Sequence, residues 1–405
     1  MVDEEQMTID ERRKYLKRIR PRYQHADRQG RGALLDEMEQ VTSMHRKSLL
    51  RLLGPAGLDR QPRQRQRGPT YGEEVERVVI RVWESLDFVC AERLTPSLVE
   101  TARHLAGFGE LQLSAEVEEQ VGQISEASVT RLLARHRTER LRLPRHGPER
   151  ANSVTKDVPM GRIAWDTQEP GHCEVDLVHH AGASSAGEYA HTLQVVDVAT
   201  GWSERVALLS RGQAAMGQAV QTAFARLPFS VVELHPDNGS EFFNNHLTRL
   251  YRELVPGLQL TRSRPYQKND NRFVEQKNDS LVRQYVGYQR LDTLEQVAEL
   301  NALYAQMSIY YNLFQPVLRL AEKTRSAGAD GQSSRLHRRW DVARTPYQRL
   351  LGTGGVAQDQ QARLEDLYRQ TNPRALRQRI YDQLAVVRSV RAQTPPEESE
   401  PSPAA

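Results

Sequence analysis

Cys173-Glu174-Val175-Asp176-Leu177-Val178 alternates apolar and polar side chains, the period-two pattern of a strand that turns one face to a core. Further on, Val231-Val232-Glu233-Leu234-His235-Pro236 is a short apolar run that enters Asp237-Asn238-Gly239-Ser240-Glu241-Phe242. Asp-Asn-Gly after such a run is a turn signal, so Asp237 is expected at a strand end, where α/β sheets present their ligand-binding groups. Asn269-Asp270-Asn271-Arg272-Phe273-Val274-Glu275-Gln276-Lys277-Asn278 opens a helix rich in Arg, Lys and Gln. Two acids, Asp176 and Asp237, at strand ends and one, Glu275, on a helix can be gathered by a sheet although they lie far apart in the chain. Carboxylates gathered in that way can hold two hard divalent cations.

Between these stretches the pattern predicts strands over 189–196 and 201–208, turning at Ala199-Thr200-Gly201 as an antiparallel hairpin or meander. A helix over 213–226, a strand over 231–234, a helix over 245–254 and a last strand over 258–261 follow. The expected core is therefore α/β, a mixed five-stranded sheet with helices. Trp165, Trp202 and Phe242 are read as packing residues of this core rather than as base-stacking platforms.

The blocks Val175-Asp176-Leu177-Val178, Asp237-Asn238-Gly239-Ser240-Glu241-Phe242, and Lys268-Asn269-Asp270-Asn271 through Val274-Glu275-Gln276-Lys277-Asn278 resemble the integrase core of bacterial insertion-sequence transposases. That is the D,D,E group with a ribonuclease-H-like fold, shared with retroviral integrases. The resemblance spans residues from about 160 to 320. The 38 positions from Asp237 to Glu275 are close to the usual interval of the group. The resemblance implies that Asp176, Asp237 and Glu275 are the catalytic and metal-binding acids, with two Mg²⁺ (or Mn²⁺) ions per active site. It implies nicking of an element end to free a 3′-OH, then attack of that 3′-OH on target DNA. Double-stranded DNA, both element ends and target, is the implied partner, and holding two ends together implies a homodimer or higher homo-oligomer on DNA. A nuclease of the same fold without strand transfer, and a DNA-binding regulator with an inactive core, are the rival readings.

Neighbouring acids show how the choice could go astray: Glu174, Asp197, Glu241, Asp270 and Asp279 all lie in or near these blocks. Asp197 is the serious competitor, because Val195-Val196-Asp197-Val198 also reads as a buried strand. Asp176 is preferred because the first acid of the family lies on the first strand, ahead of the hairpin that holds Asp197.

Composition sets the frame. The 405 residues suit two to four domains, with 38% hydrophobic residues and a net charge of +4. A mean hydropathy of −0.66 and a pI near 9.0 describe a soluble chain compatible with a polyanionic partner. No apolar run approaches the ~20 residues needed to span a bilayer. Met1-Val2-Asp3-Glu4-Glu5 has the character of neither a signal nor a transit peptide, so a cytoplasmic protein is expected, bacterial and nucleoid-associated when on DNA as the resemblance implies. Cys90 and Cys173 are too few and too scattered for a disulfide framework or a zinc cluster.

The basic charge concentrates at the N-terminal side. Residues 1–70 hold 16 Lys and Arg against 10 Asp and Glu, a footprint for phosphate contacts. Here 33–41, broken by Thr42-Ser43, and Met44-His45-Arg46-Lys47-Ser48-Leu49-Leu50-Arg51-Leu52-Leu53 read as two helices with a tight turn, and Gly54-Pro55 stops the second. The pair suits a helix-turn-helix in which Arg46, Lys47, Ser48 and Arg51 contact DNA. The pattern recurs 80 positions later in Ile124-Ser125-Glu126-Ala127-Ser128-Val129-Thr130-Arg131-Leu132-Leu133, where Ser128, Thr130 and Arg131 take that role. A plain helical hairpin is the competing reading of either pair.

The expected organisation is an N-terminal helix-turn-helix domain over 1–58, a basic linker over 59–70, and a second helical, helix-turn-helix-like domain over 71–140. A linker over 141–160 leads to the ribonuclease-H-like core over 161–325. A basic helical region over 326–392 and a Pro/Glu/Ser-rich disordered tail over 393–405 complete it. Around the third acid, Lys268, Arg272, Lys277 and Asn278 are the candidate DNA contacts. Lys277 is the weakest of these, because it lies off the face of Glu275. His337-Arg338-Arg339-Trp340 suggests a small basic surface for DNA or a partner.

Overall fold

The computed structural model describes residues 7–54, 71–136, 160–161, 163–164, 167–236, 242, 245–263, 271–326 and 335–390. Two compact units result, Met1–Thr70 and Tyr71–Ala405. The expected linker over 59–70, almost all of that over 141–160, and the tail over 393–405 lie outside the described residues.

The first unit is helical. Helix α1 (Ile9–His25) starts in a capping box, where Thr8 Oγ1 receives the Glu11 N–H and the Glu11 carboxylate receives the Thr8 N–H. Helix α2 (Arg28–Thr42) is capped by Asp27 and ends at Ser43 in the left-handed region, φ 55°. That turn lets α3 (Arg46–Leu53) begin three residues later, capped by His45. Leu16, Ile19, Leu34, Leu35, Met38, Leu49 and Leu53 form the shared core. The two helices and tight turn expected from sequence are present.

The second unit opens with α4 (Glu73–Ser85), α5 (Ala91–Leu94), a 3₁₀ turn at Thr95–Ser97, α6 (Leu98–Gly107), α7 (Ala115–Gln123) and α8 (Glu126–Arg135). Pro96 sits in the 3₁₀ turn, where its missing N–H costs nothing. This helical segment, set apart in the sequence reading, shares one hydrophobic core with the sheet, from Val75 and Trp83 through to Leu177 and Val206. Buried hydrogen bonds join them as well: Tyr310 donates to the Ser85 carbonyl at 2.7 Å and Gln315 Nε2 to that of Leu86 at 2.8 Å.

Strand β1 (Met160–Gly161) precedes β2 (His172–His179), β3 (His191–Asp197), β4 (Ser203–Leu208), α9 (Gln213–Arg226), β5 (Glu233–Pro236), α10 (Asn245–Leu254), β6 (Gln259–Leu260) and β7 (Arg262–Ser263). The five-stranded sheet runs β4-β3-β2-β5-β6, with β2, β3 and β4 antiparallel and β5 and β6 parallel to β2. This is the ribonuclease-H-like order, preceded by an all-helical region. The hairpin turns where expected, at Gly201 with φ 79°. β1 and β7 form a separate parallel pair.

After the sheet come α11 (Arg272–Lys277), a π-type stretch at Asn278–Arg283, α12 (Gln284–Val286) and α13 (Leu294–Leu313). The two faces of the sheet differ sharply. Cys173, Val175, Leu177, Leu193, Val195, Val206 and Leu208 join the core with Met216, Ala219 and Val220 of α9. The alternate residues of β2 and β3, including Glu174, Asp176, Thr192 and Gln194, turn a polar face the other way, as the period of two requires. Beyond them α13 packs through Leu300, Leu303, Tyr304, Met307 and Tyr310.

β4 is an edge strand, and α13 closes that edge. Asn301 Oδ1 receives the Ala207 N–H and its Nδ2 donates to the Ala207 carbonyl, at 2.9 and 3.0 Å. Asn312 does the same for Ser203, at 3.0 and 3.1 Å. Two amides three helical turns apart thus replace a missing strand.

The C-terminal region holds β8 (Leu320–Ser326), β9 (Arg335–Trp340), α14 (Pro346–Thr353), α15 (Gln358–Gln370) and α16 (Pro373–Ser389). The part expected as basic helix at His337-Arg338-Arg339-Trp340 is instead a strand, antiparallel to β8. His104 bonds the Thr371 carbonyl at 2.8 Å and packs against Phe108, Phe314 and Tyr368.

Candidate active site

Asp176 occupies the middle strand of the sheet, paired with Gln194 of β3, which is paired in turn with Arg205 of β4. It is half-buried. Its Oδ1 receives the Leu177 N–H at 2.8 Å, and its Oδ2 receives the side-chain amide of Asn278 at 2.6 Å. Asn278 is where α11 passes into the π-type stretch, a local widening that often marks functional positions. Glu275 is exposed on α11, between the segment that meets Glu174 and the residue that meets Asp176. Asp176 and Glu275 therefore lie on elements in direct contact, about 100 residues apart in the chain.

The neighbouring acids now separate by their partners. Glu174 is 1% exposed, and its Oε2 receives the N–H groups of both Phe273 and Val274, at 2.8 and 2.9 Å. Burial pushes its carboxyl up to about 8, against the pull of those two N–H groups. Asp197 is fully buried and accepts from the Gly171 N–H, the Thr200 N–H and the Thr200 hydroxyl. That use ties the β3–β4 turn to the entry of β2, a structural task for the strongest competitor of Asp176.

Asp237 and Lys268 lie outside the described residues. The approach to Asp237 is described, and sequence reasoning missed how it is wired. His172 Nδ1 pairs with Glu233 Oε2 at 2.8 Å, and Thr261 donates to Glu233 Oε1 at 2.6 Å. Thr261 Oγ1 also meets His235 Nδ1 at 2.7 Å. The chain of contacts fixes the end of β5, and so the point from which Asp237 departs. The signal available was the recurrence of polar residues at alternate positions of a short apolar strand, Glu233 and His235.

Of the proposed DNA contacts near Glu275, Arg272 is half-buried with its guanidinium over the Phe273 ring, 4.7 Å from the centroid. Lys277 is half-buried with its ammonium end enclosed. Burial, then the charges of Arg93, Arg205 and Arg319, lowers it to about 7. Lys277 thus faces a cationic interior rather than the face of Glu275. Arg205 itself is fully buried, and its Nε and one terminal nitrogen have no hydrogen-bond partner among the described residues.

In the first unit, Lys47 and Arg51 are exposed and Ser48 is half-buried. Arg46 is engaged within the unit, pairing with Asp36 and donating its main-chain N–H to Glu39 Oε1 at 2.8 Å. In the second unit, Thr130 and Arg131 are exposed on α8, and Arg131 donates to Ser128 Oγ at 3.1 Å. Ser125 caps that helix by accepting the Ser128 N–H.

Among the described residues no group of three or more His, Cys, Asp or Glu surrounds a metal position, and Asp237 is not among those residues. The donors that are described, Asp176 and Glu275, offer carboxylate oxygen of the kind hard divalent cations take. No helix among the described residues is long and apolar enough to cross a membrane.

The sheet order β4-β3-β2-β5-β6, three antiparallel strands followed by two parallel ones, defines an α/β protein with a ribonuclease-H-like fold. Its solved likenesses include the catalytic core domain of BIV integrase, 16% identical with a TM-score of 0.29, covering 45% of this chain and 95% of that one. Another is a chain of the simian T-cell lymphotropic virus intasome in complex with PP2A regulatory subunit B56 gamma, 16% identical with a TM-score of 0.26, covering 44% and 57%. No family model matches the chain. The chain belongs to the family of the uncharacterized protein y4rM of Sinorhizobium fredii (strain NBRC 101917 / NGR234), sharing 37% identity over 305 residues, 75% of this chain and 86% of that one.

Proposed function

We propose that this protein is a DNA transposase of an insertion sequence, a polynucleotidyl transferase of the D,D,E kind. The observation that carries the reading is the contact of Asp176 with Asn278, which joins the strand of the first acid to the helix of the third. Asp176, Asp237 and Glu275 would hold two Mg²⁺ or Mn²⁺ ions. Such ions, when bound, activate a water or 3′-OH and stabilise the leaving oxygen. Asn278 holds the Asp176 carboxylate in one rotamer, and β2 and α11 present the two acids on rigid elements. Arg272 and Lys268 would contact donor phosphates.

The reaction has two steps. Water attacks the phosphorus at the element end, the P–O3′ bond breaks, and a free 3′-OH remains on the element. That 3′-OH then attacks a target phosphodiester, forming a new P–O3′ bond and releasing a target 3′-OH. The helix pairs α2–α3 and α7–α8 would recognise terminal inverted repeats, their exposed Lys47, Arg51 and Arg131 supplying phosphate or base contacts. Two ends held together call for at least a dimer on DNA.

The test uses labelled duplexes made from inverted repeats that flank the gene. Wild type and Glu275→Gln are incubated with them in Mg²⁺ or Mn²⁺, and nicked and joined products are resolved. Nicking and joining by wild type alone is the expected result. Cutting without joining would make the protein a nuclease. Specific binding without product would make it a regulator.

A further inference from the structure

We infer that Glu174 is a positioning residue that sets the orientation of the Glu275 helix from within β2. Its consequence for chemistry rests on the phosphodiester-transfer reading above, whereas its local action on α11 does not. Helix α11 is six residues long, too short to hold its own geometry. Asn271 stands at its N-cap, a residue type suited to capping, yet makes no cap hydrogen bond. Both side-chain polar atoms of Asn271 are buried without a hydrogen-bond partner among the described residues. The N–H groups of Phe273 and Val274 go instead to one oxygen of Glu174, 99 and 100 residues upstream.

The arrangement brackets Glu275. Glu174 and Asp176 lie two positions apart on one face of β2, roughly 7 Å along the strand. Glu174 takes the start of α11 and Asp176 takes Asn278 at its end. Glu275 lies between the two anchors, so the strand that bears the first acid also aims the third. Because a single oxygen receives both N–H groups, a side-chain amide oxygen can stand in for it. That separates an acceptor role from a need for charge.

The test is hydrogen exchange by mass spectrometry on the full chain, as wild type, Glu174→Ala and Glu174→Gln, beside the end-duplex nicking assay. Glu174→Ala should speed exchange in 272–278 about 10- to 100-fold, from the loss of two main-chain hydrogen bonds, while β3 and β4 stay protected. Glu174→Gln should return exchange to within a few-fold of wild type. In the nicking assay, Glu174→Ala should lower kcat with little change in KM for DNA, and Glu174→Gln should recover it. Unchanged exchange in α11 for Glu174→Ala would overturn the inference. So would a Gln variant as defective as Ala, or protection lost equally across the sheet, which is the mark of a merely structural residue. Should wild type cut no DNA, the exchange result still decides the role of Glu174, and the failure belongs to the proposed reaction.

Discussion

Asn278 donates its side-chain amide to Asp176 across 2.6 Å, joining the middle strand of the sheet to the helix that carries Glu275. Its own Oδ1 is buried without a hydrogen-bond partner among the described residues, so the residue serves Asp176 with its donor alone. Asn278→Ala should cost about 1.5–3 kcal/mol in urea denaturation, the range for losing a hydrogen bond to a charged group. Asn278→Asp should cost more at pH 7, because it sets two carboxylates side by side, and should recover near pH 4 as one takes up a proton. Equal losses for both variants at both pH values would deny that the amide faces a carboxylate.

The closure of the β4 edge gives a second expectation. Asn312 satisfies both main-chain groups of the buried Ser203, and Asn301 those of Ala207. Replacing Asn312 with Leu removes both partners at once, at a cost of about 2–4 kcal/mol read from denaturant midpoints. Hydrogen exchange should locate the loss at β4. A uniform loss across the second unit would argue against edge closure.

Acid sensitivity should centre on His180. It is fully buried, with Nε2 against Thr192 Oγ1 at 2.8 Å and Nδ1 without a hydrogen-bond partner among the described residues. Burial, aided by Arg283, His191 and His179, depresses it from 6.5 to about 3. A histidine with a depressed folded value stays neutral where the unfolded chain is already protonated. Its contribution to stability is present above pH 6.5 and is lost as pH falls from there toward 3. His191, depressed to about 4 chiefly by burial, acts in the same direction. Glu174, raised to about 8, acts oppositely, losing stability as pH rises from 4.5 to 8. His180→Gln compared with wild type isolates one group: the difference in unfolding free energy should shift by on the order of 3 kcal/mol between pH 7 and pH 4. A constant difference would show that His180 does not titrate in this way.

The basic residues of α3 should divide into two kinds. Lys47→Ala and Arg51→Ala should weaken binding to duplex DNA, and each should reduce the slope of log affinity against log salt by about 1 if it meets a phosphate. Arg46→Ala should instead lower stability by about 0.2–1 kcal/mol, the range of exposed ion pairs, because its guanidinium is held by Asp36. Fluorescence anisotropy over a salt series and thermal melting of the same samples distinguish the two. Identical salt slopes for all three variants would overturn the division.

Much of the local structure is written in neighbouring residues. Alternation in Cys173–Val178 makes β2 a strand with an apolar and a polar face, and Ala199-Thr200-Gly201 places the hairpin turn. The run from Arg272 makes a helix, so Glu275 was placeable on it from sequence. These properties depend on φ/ψ preferences and on side-chain period, which act over a few residues. Tertiary structure alone decided what each carboxylate meets. Local pattern does not tell Glu174, Asp176 and Asp197 apart, and Asp176 was preferred over Asp197 only through the family resemblance. They differ only in what stands opposite: two main-chain N–H groups, an amide from α11, or a turn. The inward course of Lys277, the capture of Arg46 by Asp36 and the two amides on β4 were hidden for the same reason. Each is a contact between groups distant in sequence or on facing elements. Its energy depends on whether water has been excluded between them, and no local pattern records that.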